Sequence, residues 1–311
     1  MPTKKADVFR IALPATSANL GPAFDAAALA FDLYLKLEAR PAADYAIRAT
    51  GRDPDICGQL ENHLILNTYR EALQAAGKTP AALALTIYND IPIGKGCGSS
   101  AAARLAGIAL ADHYGRLRLS DARIIGEASR REHHPDNASA CWMGGLTVAR
   151  MSGDAEAQVA SIRPKGKWPL LLAVPPDPLS TEEARRVLPA QYSRGDAVVN
   201  IQNSMLLLAA FLQGKPEFLR AGLEDRIHQP YRASLCPLLP AIQRLTESPG
   251  ILGTALSGAG PSVLIFLDPR GKAPTKKIAA QVAAYLKQNN LRAELLLTAI
   301  TEKGAKAARS H

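Results

Sequence analysis

The sequence predicts an α+β protein of two domains. Its 311 residues suffice for two domains of ordinary size. Hydrophobic residues make up 47% and charged residues 21%, the balance of a globular chain with a substantial core. Strand-like and helix-like patterns mix in both halves.

In the first half, residues 8–13 read as a strand, and 27–39, apolar and partly alternating, as another. Residues 62–76 have helical spacing, with Leu64, Leu66, Tyr69 and Leu73 as the apolar positions and Gly77 as the stop. Residues 83–88 read as a strand and 101–114 as a helix apolar nearly all round, hence buried. Ser120 and Asp121 cap a helix expected to run to about Glu132, and residues 144–150 return as a strand. A boundary falls at 164–169, dividing the chain into residues 1–165 and 166–311. Beyond it, 170–174 is an apolar strand, and 181–187, 198–212 and 241–246 are helices. Residues 256–267 hold a glycine loop and a strand, 278–288 a helix and 293–298 a final strand. No internal repeat is visible.

Composition excludes several classes. No run of about 18 apolar residues occurs, so no membrane span is expected. The polar N-terminus lacks the apolar region of a signal peptide. Cys57, Cys97, Cys141 and Cys236 are far apart, without metal-ligand spacing, which suits a reducing cytoplasm. The formal net charge of +9 could serve nucleic acid, but the basic residues are scattered and aromatic content is only 5%. Attraction for small anions is an equally good reading, with no nucleic-acid or membrane partner expected. The basic run 303–309 reads as a solvated tail.

The most telling segment is Pro92-Ile93-Gly94-Lys95-Gly96-Cys97-Gly98-Ser99-Ser100-Ala101-Ala102. Alternate glycines permit positive φ and remove the Cβ atoms that would hold a phosphate away. The alanine-rich run after them forms a helix whose N–H groups and dipole converge on one point. That point suits an anion, above all a nucleotide phosphate. The loop is neither a Walker loop nor a dinucleotide fingerprint. Near the N-terminus stands Pro14-Ala-Thr16-Ser17-Ala-Asn19-Leu-Gly21-Pro22-Ala23-Phe24-Asp25, which alone is a hairpin loop with good turn chemistry. A further glycine loop is Ser257-Gly258-Ala259-Gly260-Pro261-Ser262.

These three ordered segments resemble the signature motifs of the GHMP kinases, over nearly the whole chain. The likeness is to the homoserine kinase branch, through the N-terminal motif with Ala23 in place of a glycine. Further matches are Glu132-His-His134-Pro135-Asp136-Asn137, Ser180-Thr181-Glu-Glu-Ala-Arg185 and Asp225-Arg226-Ile-His228-Gln229-Pro230-Tyr231-Arg232. The resemblance implies a two-domain GHMP kinase fold, with an N-terminal domain like domain 2 of ribosomal protein S5 and a ferredoxin-like C-terminal domain. It implies ATP-dependent phosphorylation of the L-homoserine hydroxyl to O-phospho-L-homoserine in threonine biosynthesis, with ATP and Mg2+ as cofactors and a homodimer as the assembly. A related amino alcohol such as threonine stays open as substrate, because Ala23 and the Ala26–Ala28 run alter the substrate loop. A non-catalytic nucleotide- or amino-acid-binding regulator is the other class.

By resemblance, Asp25 takes the substrate ammonium, Arg185 and Arg232 grip its carboxylate, and Asn19 and Thr181 orient its hydroxyl. Without the motif, each arginine reads as a surface salt bridge. Pro92, Ile93, Gly94, Gly96, Cys97, Gly98, Ser99, Ser100, Ala101 and Ala102 wrap the nucleotide, with Asn62, Gly258 and Gly260 also implied. Lys95 adds a charge there or faces solvent. Ser100 and Glu132 are expected on magnesium, with Glu127 the competing carboxylate. Asn137 stands where relatives such as mevalonate kinase place an aspartate base, so no strong base is expected and His134 is the rival.

Overall fold

The structure, a computed structural model, describes residues 7–130, 132, 134–271 and 273–307. In the N-terminal half the strands are β1 (Phe9–Ala18), β2 (Ala27–Pro41), β3 (Ala46–Gly51), β4 (Leu83–Asn89), β5 (Leu146–Met151) and β6 (Ala157–Ile162). They form one sheet in the order β3-β4-β2-β5-β6, with β1 antiparallel on β2. The helices of this half are α1 (Pro54–Gly58), α2 (Leu64–Ala75), α3 (Ser99–Gly115), α4 (Asp121–Ser129) and α5 (Asp136–Met143). The second half holds β7 (Pro169–Val174), β8 (Ile251–Leu256), β9 (Val263–Leu267) and β10 (Glu294–Ala299). These strands form an antiparallel sheet in the order β10-β7-β9-β8. Its helices are α6 (Thr181–Arg186), α7 (Arg194–Gln213), α8 (Leu219–Gly222), α9 (Gln229–Arg232), α10 (Leu238–Gln243) and α11 (Thr275–Gln288).

The long strand β2 organises the first sheet, pairing β1 along its length, β5 at its start and β4 at its end. The β1–β2 register slips between Pro14 and Ala15, where proline has no N–H to give the ladder. One apolar cluster joins Phe9, Leu13, Leu29 and Phe31 of this sheet to Phe211 of α7 and Phe266 of β9. Helix α3 is buried along most of its length. It lies so close to α2 that a Cβ at Gly107 would meet Thr68 and the Ile65 carbonyl.

Three loops interlock where the two halves meet. Thr16 N–H donates to Cys97 O (3.1 Å), Gly258 N–H to Ala18 O (3.1 Å), and Ser257 Oγ to Gly96 O (2.8 Å). Gly94, Gly96 and Gly98 have φ of +69°, +75° and +71°. A Cβ on Gly96 would collide with Ser257 O and lie 2.7 Å from Gly260 O. A Cβ on Gly98 would collide with Thr16 Oγ1.

Several expectations are revised. Strand β1 runs on to Ala18, so the loop of the first motif is confined to 19–26, where Asn19, Leu20, Gly21 and Asp25 take positive φ. Helix α4 ends at Ser129, and Glu132 sits in the following turn with its N–H on Ser129 O (2.8 Å). The expected C-terminal tail is docked as far as it is described: Ala305 is buried, its N–H bonds Cys141 O (2.9 Å), and Lys306 pairs with Asp121. Arg309 and the N-terminal residues 1–6 lie outside the described residues. Among the described residues, α7 alone is long and apolar enough to cross a membrane by length and composition. Its Leu207, Ala210 and Phe211 are buried in the core.

Gly96→Ala is expected to cost on the order of 2 kcal/mol of stability, since both φ and space forbid the methyl group. Thermal unfolding would show a midpoint several degrees lower, and an unchanged midpoint would contradict the interlock.

Candidate active site

A cleft of about 480 Å³ opens at the meeting of the three loops. One end is built by the glycine loop and the start of α3. Gly98 caps that helix with no side-chain hydrogen bond, and the first intrahelical bond recorded is Ala102 N–H to Gly98 O (3.0 Å). The N–H groups of Ser99, Ser100 and Ala101 precede that bond, and all three residues line the cleft, where an anion would satisfy them. Ser100 Oγ donates to Glu132 Oε1 (2.7 Å). A hydroxyl and a carboxylate converging here form a hard oxygen donor pair that fits magnesium, which takes few protein ligands. Glu127 lies elsewhere, paired with Arg123 (2.6 Å) and Arg130 (3.6 Å) in a separate cavity between α2, α3 and α4.

The opposite end carries paired charges. Arg185 donates to both oxygens of Asp25 (2.7 and 2.9 Å). Behind them Arg232 is 1% exposed, with Nε on Ala184 O (2.9 Å) and Nη1 on His228 Nδ1 (3.1 Å). Burial, then the neighbouring Arg185 charge, lower its pKa to about 10, so it stays charged at neutral pH. Both guanidinium carbons lie 5.3 Å from the Phe24 ring, and His228 stacks on the same ring at 5.2 Å. Since His228 Nδ1 accepts from Arg232, its Nε2 carries the proton and donates to Gly21 O (2.8 Å). Burial, opposed by Asp225 and reinforced by Arg232, lowers the His228 pKa to about 4.

Between the ends, Asn19 Nδ2 donates to Gly258 O (2.8 Å) and its Oδ1 accepts the Asp25 N–H (2.9 Å). The amide thus ties the first motif to the third, leaving one N–H for a ligand. Thr16 Oγ1 donates to Asn137 Oδ1 (2.7 Å). His134 Nδ1 bonds Asp136 Oδ1 (2.7 Å). Burial opposes the charged imidazole, but the Asp136 hydrogen bond and charge outweigh it and raise the His134 pKa. Asp136 Oδ2 is buried without a partner.

The structure therefore gathers Asn19, Asp25, Gly94, Gly96, Gly98, Ser99, Ser100, Ala101, Glu132, Asn137, Thr181, Arg185, Arg232, Gly258 and Gly260 around one cleft. Pro92, Ile93 and Lys95 line an adjoining cavity of about 590 Å³ with Arg52 and Pro178. Lys95 is partly exposed, and its Nζ donates to Pro176 O beside the adjoining cavity rather than turning into the cleft. The side chains of Cys97 and Ala102 are buried in the core, and the Ala102 N–H is spent on Gly98 O. Asn62 is exposed and lines neither cavity. Sequence reasoning missed Arg104, which pairs with Glu132 (3.5 Å), and Thr16, Phe24 and Asp136. The last three stood inside quoted motifs. Arg104 gave no signal beyond its place one turn after Ser100.

The family models of the GHMP kinases match this architecture in order, the N terminal domain over residues 63–145 and the C terminal over 207–290. A homoserine kinase from Solibacter usitatus is 40% identical over 302 residues, 97% of this chain and 98% of that protein. The chain belongs to the GHMP kinases. A homoserine kinase from Thermus thermophilus is 40% identical over 271 residues, 86% of the chain and 90% of that protein. The crystal structure of a homoserine kinase from Cytophaga hutchinsonii shares the fold, with TM-score 0.81 at 22% identity and 98% of each chain covered. The two sheets are thus those of a two-domain GHMP kinase fold.

His228 ties stability to pH in this GHMP kinase. Between about pH 6.5 and 4 the unfolded chain binds a proton there that the folded chain does not, so stability falls as pH falls through that window. His228→Gln is expected to flatten that slope in denaturant titrations at stepped pH. An unchanged slope would contradict a neutral buried His228.

Proposed function

We propose that this GHMP kinase transfers the γ-phosphoryl group of ATP to the hydroxyl of L-homoserine, yielding O-phospho-L-homoserine for threonine biosynthesis. The observation that carries the reading is the Asp25–Arg185 ion pair (2.7 Å) in the same cleft as the Ser100–Glu132 pair. An amino acid is a zwitterion. Entering between Asp25 and Arg185, it exchanges one internal ion pair for two charge-assisted contacts, with Arg232 as a second cation for its carboxylate. The homoserine kinases from Solibacter usitatus and Thermus thermophilus, both 40% identical, support the same substrate.

Phosphoryl transfer is mainly positioning and charge stabilisation. In this reading the N–H groups of Ser99, Ser100 and Ala101 hold phosphate oxygens, and Pro92 and Ile93 flank the base and sugar in the adjoining cavity. Ser100 and Glu132 would hold Mg2+, which when bound neutralises phosphate charge. Asn19 and Asn137 orient the hydroxyl, with Thr16 fixing Asn137. No free carboxylate serves as base at position 137; as the hydroxyl oxygen bonds the γ-phosphorus, the bond from that phosphorus to the bridging oxygen breaks to release ADP, and the hydroxyl proton passes to an oxygen of the transferred phosphoryl group. Ala23 packs into the core rather than lining the cleft, so the altered loop gives no reason to prefer threonine.

The four buried free cysteines fit a reducing cytoplasm. Val198, Ile201, Met205 and Leu212 leave an exposed apolar stripe on α7 at the 3–4 spacing of a helix-pairing seam. It supports a homodimer, which equilibrium sedimentation would test. The domain boundary is placed at 165/166, between β6 and β7.

A coupled assay with ATP, Mg2+ and a panel of alcohols is expected to show turnover on homoserine above threonine and mevalonate. Turnover on mevalonate alone, or ATP binding without turnover, would sink the reading. Arg185→Ala is expected to raise the homoserine KM by about tenfold or more, the worth of a charged hydrogen bond, with the ATP KM within about twofold. Equal loss for both substrates would contradict the assignment.

A further inference from the structure

Arg104 belongs to none of the motifs, yet it reaches the cleft. It follows Ser100 by one turn of α3, so both side chains leave the same face of the helix. Its Nε lies 3.5 Å from Glu132 Oε1, the oxygen that takes the Ser100 hydroxyl at 2.7 Å. The side chain is only 18% exposed, so the attraction is less screened than at the surface. An arginine does not lose its charge.

Two contrasts define its role. Among the described residues, Arg123 and Arg130, which line a neighbouring cavity with Arg104, share Glu127 as an ion-pair partner, whereas the ion pair recorded for Arg104 is with Glu132. The Nε of Arg232 is anchored on a backbone carbonyl, whereas the Nε of Arg104 is buried without a hydrogen-bond partner. Charge, rather than a hydrogen bond from Nε, holds it beside Glu132.

We propose that Arg104 is a positioning residue that acts as a resident counter-cation for Glu132. It holds the carboxylate toward Ser100 when no metal is bound and competes with the divalent cation for it, weakening metal affinity. The inference rests on the reading of Ser100 and Glu132 as the magnesium pair. Its sign distinguishes it from a merely structural role, because structural damage weakens a metal site and removal of a competing cation strengthens it.

Calorimetric titration of MgCl2 into the full-length protein saturated with a non-hydrolysable ATP analogue tests both levels. Wild type should bind Mg2+, and Glu132→Gln should weaken binding at least about tenfold. Absence of any effect of Glu132→Gln would overturn the magnesium pair and the inference with it. With that pair upheld, Arg104→Met should tighten binding by about tenfold, a modest effect for one close unit charge. Arg104→Gln should shift in the same direction, and it serves if the methionine variant does not fold. Arg104→Lys keeps the charge and should remain within about threefold of wild type. Unchanged or weaker binding in Arg104→Met and Arg104→Gln with wild-type circular dichroism, or equal tightening in Arg104→Lys, would overturn the inference alone.

Discussion

The site depends on one close approach: the backbone of Gly96 lies against the carbonyls of Ser257 and Gly260 with no room for a Cβ. That contact, with the Thr16–Cys97 and Gly258–Ala18 hydrogen bonds, locks three loops far apart in sequence into one rim. The free N–H groups at the start of α3, the Asn19 amide and the Gly258 carbonyl are all placed by it. Binding groups held this way are preorganised by main chain, and the entropy of ordering them is spent in folding rather than at each encounter.

Around the rim, charge is arranged in opposed pairs. At one end Glu132 accepts from Ser100 beside Arg104; at the other Asp25 accepts from Arg185 in front of the buried Arg232. Phe24 is the spacer at the second end, with both guanidinium groups and the His228 ring within 5.3 Å of its centre. A neutral His228 can accept from Arg232 while donating to Gly21, which couples the buried arginine to the first motif. Arg185 and Arg232 offer two cations at that end, and the Asp25 and Asp136 carboxylates, which lie within 4.8 Å of each other and of His134, offer the opposite charge.

Much of this was legible in the sequence where chemistry and spacing coincide. The glycine loop announces itself because glycine freedom carries meaning without neighbours, whereas Asp25, Glu132, Arg185 and Arg232 were legible only through the motifs around them. Helix α2 was legible from its periodic apolar positions, and α3 and α7 from the length of their apolar runs. Strands β3 and β6 were not, being six-residue edge strands with mostly exposed residues and few large apolar ones. Helix α5 was hidden because it is short and buried on nearly all sides, and β8 because Gly253 and Thr254 interrupt its apolar run. Arg104 was invisible for a different reason: its meaning lies in a partner 28 positions later, past a helix end that sequence set three residues too far.

If the proposed function holds, the Asp25–Arg185 pair opens to receive both charges of one amino acid. Calorimetric binding of L-homoserine, its methyl ester and 4-hydroxybutanoate in the presence of a non-hydrolysable ATP analogue tests it most directly. The account predicts that loss of the carboxylate charge or of the ammonium weakens binding by about tenfold or more, with Asp25→Asn abolishing the discrimination against 4-hydroxybutanoate alone. Equal affinity for all three ligands would contradict it.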